Sequence, residues 1–191
     1  MPPRAKYSRQ EIIEKAIGLI KREGADKLTA RELAAELGTS SKPVFIAFEN
    51  MDELKKAVFD SALGLYVAFQ ENFYEPNPFK KCGKTYITFA IKEPNLFQFI
   101  FMKPREKTVS LSEYMHKLDS NYEETVKMIS RTCGVSIEKA DTLYKNMWIF
   151  SHGIATLCAS GQCILSEEEI EALLSCTYDM LTARVYNKPD S

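Results

Sequence analysis

No apolar run in this chain approaches the roughly 18 to 20 residues needed to cross a bilayer, and its first residues lack an apolar signal core. The expectation is a cytoplasmic protein with no membrane partner. There is no C-x-x-C pair: the five cysteines (Cys82, Cys133, Cys158, Cys163, Cys176) are odd in number and stand in apolar helical contexts, as reduced thiols do. Cys158 and Cys163 are near enough in sequence for a redox pair; buried structural thiols are the plainer reading. Histidine is scarce, with only His116 and His152, and neither H-E-x-x-H spacing nor a Gly-rich phosphate loop occurs. A catalytic site, a metal and a cofactor are therefore not expected. Sustained period-two alternation is missing too, which argues against strands. Nor is there a basic excess, since 25 Lys and Arg face 26 Asp and Glu.

What the chain has is length enough for a core, with 191 residues and 45% hydrophobic content, and helical punctuation from end to end. Ser8 and Glu11 have capping-box spacing before Ile12, Ile13, Ala16, Ile17, Leu19 and Ile20, with a stop at Gly24. Asn50 and Glu53 open a long helix through Met51, Leu54, Ala57, Val58, Ala62, Leu65 and Phe69. Pro76 and Pro78 separate it from a helix spanning Phe79 to Lys92, and Pro94 opens another that Pro104 ends. Leu111 to Cys133 reads as one helix. Ser136 starts the next, reaching Gly161, and Ser166 with Glu169 caps a last one to about Tyr186. The expectation is an all-α protein of about nine helices, divided into a head (1–50) and a helical body (51–191).

Between Leu28 and Phe48 the chain reads LTARELAAELGTSSKPVFIAF, two short helices around a Gly-centred turn. Thr29 and Glu32 have capping-box spacing, Ala30, Leu33, Ala34 and Leu37 form one apolar stripe, and Gly38 suits the left-handed position that ends a helix. Ser40 can cap the second helix, placing Pro43 in its first turn, where no intrahelical N–H is lost. Val44 and Phe48 then face the first helix, and Ser41, Lys42 and Phe45 face outward. This is the form of a helix-turn-helix, whose second helix presents its N-terminal residues to the major groove. An αα-hairpin of a helical bundle has the same local pattern. Charge leans towards the first reading: up to Phe48 nine basic side chains face six acidic ones, so the head is about +3 and the remainder about −4. The basic N-terminal tail, Met1 to Arg9, carries two prolines and is expected to be disordered and to touch the DNA backbone or a minor groove.

At these residues the chain resembles the TetR family of one-component transcriptional regulators. The family pattern is met at Ile13, Ala16, Gly24, Leu28, Thr29, Leu33, Ala34, Leu37, Gly38, Ser40, Phe45, Phe48 and Leu54. It is departed from at Phe45 (usually Tyr), Ala47 (usually His or Tyr) and Met51 (usually Lys). Each departure removes a polar group that, by the resemblance, touches a phosphate, so weaker and less salt-sensitive DNA binding is expected. In the body, EPNLFQFIFM resembles the family's sixth helix, and Trp148, His152 and Gly153 match a Trp-x-x-x-His-Gly signature of one subgroup.

The resemblance implies a homodimer on a palindromic double-stranded operator. Thr29, Ser40, Ser41, Lys42 and Phe45 would lie at the DNA. Ser151, Ala155 and Ala159, small residues along one helix face, and Ile170, Leu174, Thr177 and Leu181 on the last helix would make a four-helix interface between two chains; intramolecular core is the other use of both stripes. Rings and methionines crowd the body. Tyr66, Phe69, Phe89, Phe101, Tyr114, Met115, Trp148 and His152 are candidates for an apolar cavity taking a small-molecule effector, with core packing the alternative for each. The function expected is a repressor released by an apolar or aromatic ligand. The competing reading is a helical adaptor or ligand sensor with weak or lost DNA binding.

Overall fold

The computed structural model describes residues 7–103, 108–119 and 121–186. Of the tail from Met1 to Arg9, expected to be disordered and to touch DNA, the residues up to Lys6 lie outside the described residues, whereas Ser8 and Arg9 are ordered as the N-cap and first residue of α1. Among those described, ten α-helices occur and no strand: α1 (Arg9–Glu23), α2 (Ala30–Glu36), α3 (Lys42–Ala47), α4 (Met51–Asn72), α5 (Pro78–Lys92), α6 (Pro94–Phe97), α7 (Leu111–Leu118), α8 (Tyr122–Cys133), α9 (Ile137–Ala159) and α10 (Glu167–Tyr186). A 3₁₀ turn (Ala25–Lys27) joins α1 to α2, and α6 runs on as a π-helical segment (Gln98–Met102).

The caps explain most of these boundaries. Ser8 and Glu11 form the full box that opens α1, with Glu11 N–H donating to Ser8 Oγ at 3.2 Å and Ser8 N–H to Glu11 Oε2 at 2.7 Å. Ser166 and Glu169 repeat it before α10. Such caps contribute about 1 kcal/mol each. Thr29 makes half a box: its Oγ1 accepts from Glu32 N–H at 3.2 Å, but its own N–H already donates to Lys27 O at 2.8 Å, leaving nothing for a returning Glu32 side chain.

The stretch from Leu111 to Cys133 is two helices rather than one. Asp119 leaves the helical conformation, and its Oδ1 accepts from Asn121 N–H at 2.9 Å, a side-chain turn that competes with the helix ladder. Ten helices replace about nine for this reason.

The chain divides into two compact units, Met1–Phe73 with Phe89–Lys103, and Tyr74–Thr88 with Pro104–Ser191. The division does not fall at position 50. Leu54 and Val58 of α4 and Leu96 and Phe97 of α6 are fully buried, so α1 to α3 share one core with α4 and with the segment from Phe89. Ile12, Ala16, Ile20, Leu33, Val44 and Phe48 complete that core, each apolar side chain contributing about 1.5–3 kcal/mol for the larger residues. In the second unit Ile87, Met115, Ile129, Ala140, Leu143 and Ala155 are the most deeply buried apolar side chains.

Candidate nucleic-acid interface

Two short helices and a turn build the surface of interest. Gly38 sits at φ +60°, with Gly38 N–H bonded to Ala35 O and Thr39 N–H to Ala34 O, both at 3.0 Å. That pair is a Schellman motif, and it ends α2 with glycine in the left-handed conformation it alone adopts cheaply. α3 starts one residue later than the Ser40 cap implied. Ser41 is its N-cap, in the αR conformation with no side-chain cap bond, and Pro43 is the second helical residue. Ser41 O takes the first helical N–H groups, those of Val44 at 3.0 Å and Phe45 at 3.3 Å. Neither serine hydroxyl has a hydrogen-bond partner among the described residues, which leaves both free for an outside acceptor.

The back of α3 is fixed. Val44 and Phe48 are fully buried. Arg9 of α1 reaches across: its Nη1 donates to Ala47 O at 2.8 Å, its Nη2 to Glu53 Oε1 at 2.7 Å, and its guanidinium lies 4.1 Å over the Phe48 ring. Glu53 Oε2 accepts Glu49 N–H at 2.6 Å. That backbone bond, and then Arg9, hold the Glu53 carboxyl below the usual carboxylate range. Tyr7 hydroxyl donates to Leu37 O and pins the turn from the other side. The contacts of Arg9, Glu53 and Tyr7 across the head were not legible from the sequence, because partners 30 and 44 residues apart leave no local pattern.

The front of α3 is open. Ser40 and Lys42 are exposed, Ser41 is half-buried, and Phe45 is 47% exposed. Thr29 is exposed at the start of α2. Ile46, which the sequence reading passed over, is 62% exposed. The basic groups flanking the turn and its supporting helices differ in their partners. Arg9, Lys21 and Arg22 are paired with Glu53, Glu93 and Glu36, whereas the exposed Lys27, Arg31 and Lys42 make no salt bridge among the described residues. No carboxylate occurs from Leu37 to Phe48.

The eight candidate effector contacts separate into two clusters, one in each unit. In the first, Tyr66 meets Phe89 and Phe101 at 5.1 Å between ring centroids, and Phe69 meets Phe89 at 5.4 Å. Tyr66, Phe89 and Phe101 are buried, so these rings fill one another's space. In the second, Trp148 stacks on His152 at 5.0 Å with planes 10° apart, and Tyr114 meets Trp148 edge-on at 5.7 Å. Tyr86, absent from the sequence reading, places its hydroxyl 2.8 Å from His152 Nδ1. Burial holds the His152 pKa below its ordinary value, so the neutral ring is favoured. Met115 is fully buried in the same unit.

Of the two uses expected for the small-residue stripe of α9, the fold of one protomer shows the intramolecular one. Ser151, Ala155, Ala159, Ile170 and Leu174 are buried by the chain itself, and Thr177 and Leu181 are half-buried. A Cβ added at Gly83 of α5 would lie 3.1 Å from Ser151 Oγ and 3.3 Å from Leu174 Cδ2. Small side chains there let α5 approach α9 and α10 within one protomer. The outward faces carry other residues: Ile149, Gly153 and Leu157 on α9, and Leu173, Cys176 and Met180 on α10.

Nucleophilic chemistry finds little support in the thiols. Burial pushes the Cys82 thiol up to about 11, and burial with the neighbouring Cys163 does the same to Cys158, whose Sγ lies 3.9 Å from that of Cys163. Among the described residues no three His, Cys, Asp or Glu side chains cluster as metal ligands, and no helix is long and apolar enough to cross a membrane.

Residues 12–58 match the sequence profile of bacterial regulatory proteins of the tetR family. An HTH-type transcriptional regulator of Mycobacterium tuberculosis is 39% identical over 54 residues, a match covering 28% of this chain and 25% of that protein's length. Solved structures share the fold over nearly the whole chain. A TetR-like transcriptional regulator from Rhodococcus sp. RHA1 superposes with a TM-score of 0.62 at 13% identity, covering 98% of this chain and 100% of its own. A putative TetR family regulator from Vibrio parahaemolyticus gives 0.61 at 17%, covering 90% and 96%. BioQ, solved with its double-stranded DNA operator, gives 0.53 at 18%, covering 93% and 99%.

Proposed function

We propose that this chain, whose residues 12–58 match the profile of bacterial regulatory proteins of the tetR family, is a regulator of that kind that binds a palindromic operator as a homodimer and represses transcription until a small apolar or aromatic effector releases it. The observation that carries this reading is the state of α3: clamped from behind by Val44, Phe48 and Arg9, it leaves Ser40, Ser41 and Lys42 exposed or half-exposed and uncommitted to the fold. Two copies would reach successive major grooves about 34 to 36 Å apart, or a multiple of that. Thr29, Lys27 and Arg31 would take phosphates and fix register without reading sequence.

Dimerisation would use the outward faces of α9 and α10, where Ile149, Leu157, Leu173 and Met180 are exposed apolar side chains with no partner of their own unit to cover them. The effector would be held by the Tyr114, Trp148 and His152 cluster, whose Tyr86–His152 pair supplies a polar tip among rings. It can shift the protein only by its difference in affinity for the bound and released states.

The test is selection of bound duplexes from a random pool by the purified protein. Enrichment of a palindrome is the expected result, and Lys42→Ala should then raise the dissociation constant about five- to tenfold. A second reading, the adaptor, draws on the exposed apolar Phe45 and Ile46 and on Ala47 and Met51 at places where the family carries polar groups. Absence of enrichment at low salt would establish it instead.

A further inference from the structure

The proposed operator contact leaves one feature of α3 unused. The helix reads KPVFIA, so Lys42 is its only side chain able to hydrogen-bond a base. Beyond it stand Phe45 and Ile46, 47% and 62% exposed on a helix whose other large apolar side chain, Val44, is fully buried. Phe45 and Ile46 lie three and four positions after Lys42, so all three share one face of the helix, a cation followed by an apolar pair. The Arg9 bond to Ala47 O and the buried Phe48 hold that end of α3 in place.

An apolar pair presented rigidly to water has a cost in hydration unless something apolar covers it. The surroundings select the occupant: no carboxylate lies between Leu37 and Phe48, and Lys42, exposed on the same helix face as the pair, makes no salt bridge among the described residues. A polyanion is the complement to such a surface. On the major-groove edge of DNA, the apolar group available to such side chains is the 5-methyl of thymine. We infer that Phe45 and Ile46 read thymine methyl groups in the operator half-site, giving this protein sequence discrimination by methyl contact where a polar side chain would use hydrogen bonds. The inference rests on the reading of α3 as the recognition helix. It makes the half-site thymine-bearing at one or two positions beyond the base met by Lys42.

The test starts from the duplex enriched in the selection described above. Each thymine of one half-site is replaced in turn by 2′-deoxyuridine, which pairs identically and lacks only the methyl, and affinity is read by fluorescence anisotropy with the unaltered protein. Loss of about fourfold is expected at each contacted position, the worth of one buried methyl. Phe45→Ala and Ile46→Ala should each bind the thymine and uracil duplexes equally at one such position. Equal binding of both duplexes at every position, or an enriched half-site without thymine, would overturn the methyl readout, while the fall in affinity caused by Lys42→Ala would still support recognition by α3. A pool that yields no enriched sequence would remove both, assigning the apolar pair to a protein partner.

Discussion

At the scale of single residues, His152 offers the clearest handle on the body. Its ring is partly buried between Trp148 and Tyr86, and burial depresses its pKa. The unfolded chain takes up a proton near pH 6.5 while the folded chain resists it. The stability His152 lends is therefore complete above that pH and is lost as pH falls through the lower folded value. Melting temperature is expected to drop between pH 7.5 and 5.5, with a smaller drop in His152→Gln, as followed by circular dichroism. The outward residues of α3 were legible from sequence because helical periodicity assigns Val44 and Phe48 inward and so turns Lys42 and Phe45 out. Ile46, two positions after the inward Val44, belongs to the same outward face. Arg9 was not legible at all. Its partners, Ala47 O and Glu53, come together only once α1, α3 and α4 share a core.

Elements were read most reliably where a cap or glycine marks them. The turn at Gly38 is the sharpest case, and it yields a prediction at this scale. A Cβ at Gly38 meets nothing within 4 Å, so Gly38→Ala would strain only the backbone at φ +60°. A cost of about 1–2 kcal/mol is expected, measurable as a lower urea midpoint with unchanged m-value, and Gly38→Asn should cost less. Helix α9 was found from Ser136 to its end because Gly161, at φ +71°, closes it in the same way. The break between α7 and α8 is not expected from the sequence, although Asp119 and Asn121 are turn-forming residues. The apolar period on either side stays in phase and suggested continuity. The small-residue stripe of α9 was seen correctly as a close-packing face, yet nothing in its own sequence says which helix approaches; Gly83, the residue that reveals α5 as the neighbour, lies in another element.

For the molecule as a whole, the all-α class was legible throughout, since no segment carries strand periodicity and Ser8, Thr29, Asn50, Ser110, Ser136 and Ser166 each cap a helix start. The division into two compact units was not. It depends on which apolar stripes meet, and the residues from Phe89 to Lys103 join the head's core despite lying far along the chain. The proposed dimer is tested at this scale. Met180 is 62% exposed, so Met180→Glu should leave the protomer's fold and melting temperature nearly unchanged. In the dimer it would bury a charge against the partner. Sedimentation velocity is expected to show a dimer for the unaltered protein and monomer for the variant, with operator affinity falling at least tenfold because two heads no longer bind as one.

The clamp on α3 has a consequence for engineering. Because Val44, Phe48 and Arg9 anchor the helix from behind, the side chains at 41, 42, 45 and 46 can be rewritten together without opening a cavity in the core. Under the proposed operator recognition the head would be an interchangeable reading cassette, and libraries randomised at those four places should yield folded proteins, whose sequence preferences duplex selection would compare with the parent's.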